Sequence, residues 1–278
     1  MLQQIQETKS FIESKTNIKP FVGIVLGTGL GNLSTEIQIE TAIPYGDIPN
    51  FPVSTVEGHS GQLIFGSINN VPVVAMQGRF HYYEGYSLKE CTFPIRVMKA
   101  LGISNLFLSN ASGGVNANFE IGDIMLITDH INLLPDNPLR GKNIDELGPR
   151  FPDMSEPYDL ELREKVLNIA LEHNIKIQQG IYAVLSGPTF ETPAEYKYIQ
   201  IIGADTVGMS TVPEVIVARH MDLPCMALSI ITDLGVDGKI VEISHEEVQK
   251  VAKAAEPKMT LIIKELLVQI YATEFISK

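Results

Sequence analysis

The chain has 278 residues, a net charge of -12 and a pI near 5.0. This length can bury a large core, and no composition break, low-complexity tract or internal repeat marks a boundary, so we expect one domain over residues 1–278. The acidic balance argues against a nucleic-acid partner. No apolar run approaches the roughly 18 residues of a membrane span.

The N-terminal residues lack a signal-type apolar segment, and Cys91 and Cys225 are too few for a disulfide framework. We therefore expect a cytoplasmic protein with no membrane partner. No CxxC, HExxH or HxH spacing occurs. A protein-held metal is therefore not expected.

The first phosphate-site signal follows an opening helix predicted over residues 1–16. Phe21–Leu26 is a buried strand that runs into a glycine-rich turn at 27–31. Backbone N–H groups of such turns commonly bind phosphate. The dinucleotide fingerprint needs its third glycine at position 32, which is Asn, so we expect a phosphate turn of another kind.

The second signal follows a hairpin. Residues 43–58 predict an ordered loop, and Gly61–Ile68 pairs with Val71–Gln77. If the chain stays extended beyond this hairpin, the side chains of Arg79, His81 and Tyr83 share one face and form an oxyanion pocket. The alternative is a surface strand end with exposed polar groups, which adjacency to a core strand disfavours.

The middle of the chain predicts a capped helix, a strand and a long loop. Ser87 and Glu90 form a capping box for a helix ending at Leu101. Asn105–Ser109 is predicted to be a buried strand, followed by a turn of small residues at 110–114. The G-x-S-x-G frame is absent there, so Ser112 is not expected to be a nucleophile.

The strand Asp123–Ile131 precedes the proline-rich stretch 132–157. A loop of this length inside a domain is usually functional or part of an interface.

Two more strand ends carry polar groups in the second half. The helix Asp159–His173 and the strand Ile177–Leu185 precede Glu191, which stands beside a helix start capped by Thr192 and Glu195. The strand Pro224–Thr232 ends in Asp233. A final helix then starts with a cap at Ser244 and Glu247.

Residues 204–214 predict an extended segment, a tight turn and a helix start. Thr211 and Glu214 have the spacing of a capping box. Free backbone N–H groups at this helix start make Ser210 a suitable position for an anion.

The chain is therefore α/β throughout, with polar or glycine-rich turns at strand ends near residues 28, 79, 111, 190 and 233. In open α/β sheets such ends converge on the ligand crevice.

Taken together, these turns resemble the trimeric class of purine nucleoside phosphorylases. The resemblance extends from Gly27 to Glu247. It rests on the segments Leu26–Gly31, Gly58–His59, Gly78–Gly85, Asn110–Gly114, Gly187–Thr192 and Val207–Glu214. The resemblance implies a single α/β domain with a twisted mixed central sheet flanked by helices. It also implies reversible phosphorolysis of purine nucleosides to the free base and ribose 1-phosphate or its deoxy counterpart, without a metal or organic cofactor, in a homotrimer.

The resemblance also implies a role for each matched residue. Phosphate would contact Thr28, His59, Arg79, Phe80, His81, the backbone at Ala111, and Ser210. The nucleoside would contact Tyr83 and Met209 at the ribose, His245 at the 5'-hydroxyl, Phe190 and Val207 on the base face, and Glu191 and Asp233 at the base edge. Phe151 matches a Phe that closes the site of a neighbouring subunit. Asp233, His81 and Glu191 are the expected catalytic residues.

The residue types suit this chemistry. Cleavage of an N-glycosidic bond develops positive charge on the sugar and negative charge on the base, which a phosphate dianion and donors at the base edge offset. No protein nucleophile is needed, which agrees with the absence of a nucleophile motif.

Two positions depart from the family pattern. Thr28 replaces a common Ser and keeps the hydroxyl. Asp233 replaces an Asn found in many 6-oxopurine enzymes. An ionised carboxylate only accepts hydrogen bonds and suits a 6-amino group, whereas a protonated Asp233 donates to N7 as a general acid. We expect inosine and guanosine as substrates, with adenosine tolerated better than in Asn-bearing relatives.

Three alternatives remain. A 5'-methylthioadenosine phosphorylase also uses acidic groups at the base edge, but His245 and the segment Gly78–Gly85 count against it. A non-enzymatic nucleoside-binding protein leaves Arg79, His81 and Ser210 unexplained. A dinucleotide oxidoreductase fails on the fingerprint spacing.

Overall fold

The protein is represented by a computed structural model that describes residues 1–28, 31–53 and 61–276. The helices in these ranges are α1 (Leu2–Glu13), α2 (Leu88–Cys91), α3 (Phe93–Ala100), α4 (Leu160–Glu172), α5 (Pro193–Ile201), α6 (Val212–His220) and α7 (His245–Ile276). The strands are β1 (Val22–Leu26), β2 (Gln38–Pro44), β3 (Gln62–Ile68), β4 (Val71–Gln77), β5 (Asn105–Gly114), β6 (Ile124–Asn132), β7 (Ile177–Val184), β8 (Thr206–Gly208) and β9 (Cys225–Leu234). No helix of these described ranges is long and apolar enough to cross a membrane.

All of these strands belong to one mixed sheet with an open part and a closed part. The open part has the order β2-β3-β4-β1-β5, with β1 parallel to both β4 and β5. The closed part is a ring in which β5 pairs with β9, β9 with β6, β6 with β7, β7 with β8, and β8 again with β5. The expected α/β fold with a mixed central sheet is confirmed. The ring was not foreseen.

Helices cover both faces of the sheet because its central strands are apolar on both sides. Every residue of β1 is buried, and neighbouring side chains point to opposite faces. Val25 packs in the core that contains α1, α3 and α6. Ile24 and Leu26 pack in the core that contains α4 and α7.

The local predictions are mostly confirmed. The hairpin β3–β4 forms, with Asn69 and Asn70 at positive φ in its turn. The capping box at Ser87 and Glu90 is present, but the helix is interrupted at Thr92 and continues as α3. The stretch 132–157 contains only one described short helical turn, Asp145–Leu147.

One strand was missed from the sequence, and the predicted end of another was wrong. β2 was not predicted, because as an edge strand it exposes most of its residues and lacks a clear apolar alternation. β5 was expected to end at Ser109, yet it continues to Gly114. Its last residues stay in the sheet because β8 and β9 pair with them on both sides.

Candidate active site

The expected strand ends meet in one cleft of about 680 Å³, a volume that includes its opening to solvent. The residues that line it come from the ends of β1, β4, β5, β7, β8 and β9 and from the start of α7. They are Thr28, Arg79, His81, Tyr83, Asn110, Ala111, Ser112, Gly113, Phe190, Glu191, Val207, Gly208, Met209, Ser210, Thr232, Asp233, His245 and Val248.

Arg79 is the positive centre of the cleft, although the residue is only 1% exposed. Its Nη1 donates to the Ser109 carbonyl at 2.8 Å and to Ser210 Oγ at 2.9 Å. Its Nη2 has no hydrogen-bond partner among the described residues. A fixed guanidinium with donors still to be satisfied suits an anion such as phosphate.

Gly27 lets the turn after β1 approach this arginine. A Cβ at this position would lie 2.2 Å from the Ser109 carbonyl oxygen and 3.2 Å from Arg79 Nη1. Gly27 N also donates to Ser109 Oγ at 3.0 Å. The glycine is therefore required by close packing, and it brings Thr28 to the cleft.

The capping box predicted at Thr211 and Glu214 is absent. Thr211 has a φ of 71° and makes no side-chain cap hydrogen bond. Its Oγ1 instead accepts from Asn110 Nδ2 at 2.8 Å and from Arg79 Nη1 at 3.3 Å. Glu214 Oε1 lies 3.3 Å from Arg79 Nε. The prediction was wrong because buried Arg79 takes both capping side chains as its partners.

Tyr83 lines the cleft from a short helical turn, Tyr82–Glu84, and His81 lines it from the position just before this turn. The continuous extended segment that we expected is therefore absent. The rings of His81 and Tyr83 stack with centroids 4.7 Å apart. His81 Nδ1 lies 3.0 Å from Glu84 Oε1. Burial lowers the pKa of His81 despite this carboxylate, so the imidazole is mainly neutral at neutral pH.

Two carboxyl groups, those of Asp233 and Glu191, form the acidic part of the cleft. Asp233 Oδ2 accepts from Tyr196 OH at 2.9 Å, and Oδ1 accepts from Thr232 Oγ1 at 3.1 Å. Burial raises the pKa of Asp233. Burial, and to a smaller extent the charge of Asp233, raises the pKa of Glu191 to about 7. Protons are thus available at this part of the cleft near neutral pH.

The expected base and ribose contacts are also brought together. Phe190, Val207, Met209 and the backbone at Ala111 line the cleft. His245, the first residue of α7, does so too, with its Nε2 2.9 Å from Gln249 Nε2.

Two predicted residues of the described ranges are not among those lining the cleft, and a third falls outside these ranges. Phe80 packs in the core, with its ring centroid 5.0 Å from that of Tyr45. Phe151 lies in the loop before α4 and is 87% exposed. His59, together with Gly58, Gly29 and Leu30, lies outside the described residues.

Sequence reasoning missed several residues that shape the site. Tyr196 and Thr232 donate hydrogen bonds to Asp233. Asn110 donates to Thr211, which in turn accepts from Arg79. Thr232 precedes Asp233 in a strand end that was recognised, so it could have been found. Tyr196 lies on α5, and no local signal connects it with Asp233.

The fold and this cleft define a phosphorylase. The sequence profile described as the Phosphorylase superfamily matches residues 21–268, and the chain belongs to this family. The expected family is thus confirmed.

Within the family, the chain is similar to purine nucleoside phosphorylases. It is 47% identical to purine nucleoside phosphorylase 1 of Bacillus subtilis, over 97% of this chain and 99% of that protein. Two solved Schistosoma mansoni structures each superpose with a TM-score of 0.90 over 95% of this chain. One is isoform 2 of purine nucleoside phosphorylase in complex with cytosine and ribose-1-phosphate, 43% identical over 95% of that chain. The other is a purine nucleoside phosphorylase in complex with adenosine, 40% identical over 96% of that chain. The expected enzyme class, a pentosyltransferase, is confirmed.

Proposed function

We propose that this chain catalyses the reversible phosphorolysis of purine nucleosides and 2'-deoxynucleosides, giving the free base and ribose 1-phosphate or its deoxy counterpart. The observation that carries the proposal is one cleft that joins an arginine-centred anion site to a pair of buried carboxyl groups. β5 connects the two: Asn110 bonds Thr211 beside Arg79, and a Cβ at Gly113 would lie 2.9 Å from Asp233 Oδ2. Three residues of strand span roughly 10 Å, which is enough for a ribose between phosphate and base.

At the anion end, phosphate takes donors that the protein has already oriented. The Nη2 of Arg79 and the hydroxyls of Ser210 and Thr28 donate to its oxygens. Neutral His81, with its Nδ1 proton directed to Glu84, presents Nε2 as an acceptor for a P–OH proton. A phosphate dianion held in this way stabilises the positive charge that develops on the sugar.

At the base end, the carboxyl groups act on the departing purine. Protonated Asp233 donates to N7 as the general acid, while Glu191 binds the edge of the ring. Phe190 and Val207 stack against the base, and Tyr83, Met209 and His245 contact the sugar. No covalent intermediate on the protein is required.

Asp233 also affects substrate preference. Tyr196 and Thr232 donate to Asp233 and so favour its ionised form, opposing the effect of burial. The protonated form of Asp233 serves inosine and guanosine, which are the main substrates. Its carboxylate form accepts from a 6-amino group, so adenosine is also tolerated. That an S. mansoni relative was solved with adenosine supports this assignment.

The proposal includes three further points. Inorganic phosphate is the co-substrate, and no metal or organic cofactor takes part. The enzyme works as a homotrimer in which Phe151 of one subunit closes the cleft of its neighbour; the exposed ring of Phe151 supports this arrangement. Its cellular site is the cytoplasm, which the buried free cysteines Cys91 and Cys225 support.

The decisive experiment measures base release from inosine, guanosine, adenosine and 5'-methylthioadenosine, with and without phosphate and in the presence of a chelator. We expect phosphate-dependent turnover of the first three and no effect of the chelator. A strong preference for methylthioadenosine would assign the chain to 5'-methylthioadenosine phosphorylase instead. Nucleoside binding without phosphate-dependent turnover would reduce the chain to a binding protein.

A further inference from the structure

A second pocket of the described residues, separate from the catalytic cleft, is basic. It lies between the start of α1, helices α2 and α3, the end of α6 and the loop 138–144. Its charged and polar lining residues are Lys89, Arg96, Arg140, Lys142, Asn143 and His220. None of the described residues that line it is Asp or Glu, although the chain carries a net charge of -12. We call this site the basic pocket.

Arg96 makes the basic pocket more than a group of surface charges. The residue is only 6% exposed, and its Nη1 has no hydrogen-bond partner among the described residues. Burial lowers the pKa of Arg96 to about 10, so the guanidinium stays charged at neutral pH. A buried cation with an unsatisfied donor is costly unless an anion binds it.

The loop 138–144 is built to bring a lysine close. Gly141 has a φ of 110°, and a Cβ there would lie 3.2 Å from Lys89 Nζ. Glycine therefore serves both the left-handed backbone and the approach of Lys89.

The positive charge of the basic pocket is mostly not offset by the protein. Arg140 is paired with Asp136 at 3.6 Å, and Asn143 is bonded to Asp145. Within the described part of the chain, no carboxylate forms an ion pair with Lys89, Arg96 or Lys142. His220, whose pKa burial lowers, adds a ring nitrogen rather than a charge at neutral pH.

We propose that the basic pocket binds a compact oxyanion, namely a phosphate dianion that is either free or part of a monoester. One phosphate group offsets two of the three cations and offers several acceptors to Arg96 Nη1 and the lysines. A carboxylate from a second copy of the chain would offset only one. No residue of the basic pocket lines the catalytic cleft, so this binding is independent of the proposed phosphorolysis.

Equilibrium dialysis with radiolabelled inorganic phosphate tests the proposal, and a second series with methyl phosphate distinguishes free phosphate from an ester. We expect two phosphate ions per chain in the wild type and one in the Lys89→Met/Lys142→Met variant. Both lysines are exposed, so their replacement spares the core. The control variant, Lys19→Met/Lys258→Met, removes the same charge from exposed positions elsewhere and should keep two sites.

The enzymatic readout separates the two sites. The KM for phosphate in nucleoside cleavage should stay within about twofold in both double variants, because the catalytic donors are untouched. Arg96→Gln should also remove the second site. One phosphate per chain in the wild type, or two sites retained after loss of Lys89 and Lys142, would overturn the proposal. A single site combined with dissociation of the oligomer in that variant would instead assign the basic pocket to contact with a second copy.

Discussion

In the proposed function, Asp233 is the residue that determines which purines the cleft accepts. Its two oxygens already accept from Tyr196 and Thr232, and burial works against its charge. The position therefore balances between a carboxylate, which only accepts, and a carboxylic acid, which also donates.

Replacement of Asp233 by Asn removes this balance. The amide Nδ2 donates to O6 and N7 and repels a 6-amino group. We therefore expect the ratio of kcat/KM for inosine to kcat/KM for adenosine to rise about tenfold, which corresponds to the free energy of one hydrogen bond. Steady-state phosphorolysis of both nucleosides measures the ratio. Asp222→Asn is the control, since this exposed residue has a φ of 50°, which Asn readily adopts. An unchanged ratio in Asp233→Asn would contradict the role of Asp233.

Glu191 makes the stability of the fold depend on pH. Its pKa is raised from 4.5 to about 7, so between these values the folded chain binds more protons than the unfolded chain. The stabilisation is complete below the unfolded pKa and is lost as pH rises through about 7. We expect the unfolding free energy of Glu191→Gln minus that of wild type to grow by up to about 3 kcal/mol from pH 4.5 to 8.

Thermal unfolding of both proteins across this pH range measures the effect. A change of this size corresponds to a shift in Tm of several degrees, on the order of 2–4 °C per kcal/mol for a chain of this size. Glu172→Gln, exposed at the end of α4, is the control for removal of a carboxylate from the surface. A pH-independent offset for Glu191→Gln would mean that the pKa of Glu191 is the same in the folded and the unfolded chain.

At the scale of elements, two helix starts with the same local signal behave differently. Thr192 and Glu195 form the predicted capping box of α5, with Glu195 N donating to Thr192 Oγ1 at 3.2 Å. Thr211 and Glu214 of α6 have the same spacing, but both bind Arg79. A buried guanidinium from β4 therefore overrides a local helix signal.

Substitution by glutamine distinguishes the capping box at Glu195 from the ion pair of Glu214 with Arg79. Glutamine can replace Glu in a capping box, but it cannot neutralise a buried arginine. We expect Glu214→Gln to lower the unfolding free energy by about 3 kcal/mol or more, since it leaves Arg79 buried without its counter-charge. Glu195→Gln, the matched control at the same helix position, should cost less than about 1 kcal/mol. Thermal or urea unfolding checks both variants. Equal, small losses would mean that Arg79 does not depend on Glu214.

The contrast between local sequence signals and contacts with distant residues explains how much of the fold was predictable. Buried strands such as β1, and helix starts such as that of α5, follow from local apolar patterns and caps. The end of β5 does not. Its residues 110–114 are typical of a turn, but β8 and β9 pair with them, and neither partner is near them in the sequence.

The candidate site was predictable to the extent that its residues stand at strand ends. Arg79, Glu191 and Asp233 all do, and they line one cleft. Tyr196 was not predictable, because it reaches Asp233 from a helix whose sequence indicates only packing and a cap.

At the scale of the whole molecule, the closure of the ring determines where the cleft lies. β8 returns to β5 at Gly113 and Gly114, which brings Val207 and Ser210 beside Asp233 and Arg79. The loop between β6 and α4 takes no part in lining the cleft and carries Phe151 on its surface. In the proposed trimer this loop belongs functionally to the neighbouring subunit.

Mixed trimers test that arrangement. Phe151→Ala alone should lower kcat/KM for inosine roughly tenfold or more, because removal of an aromatic wall costs about 1.5–3 kcal/mol of apolar burial. Asp233→Ala alone disables its own cleft but keeps Phe151. When the two variants are co-expressed with different affinity tags, a cleft of a Phe151→Ala subunit, which keeps Asp233, receives Phe151 from a neighbouring Asp233→Ala subunit. Doubly purified mixed trimers should therefore be more active than the average of the two parents.

Co-expression of each variant with itself, under the same two tags, is the control and should give only the parental activities. Sedimentation of every sample establishes that the assemblies have the mass of three chains. If mixing yields no more than the parental average, Phe151 acts within its own chain or not at all. Since the ring is 87% exposed and does not line its own cleft, restoration by a neighbour is the outcome that the geometry supports.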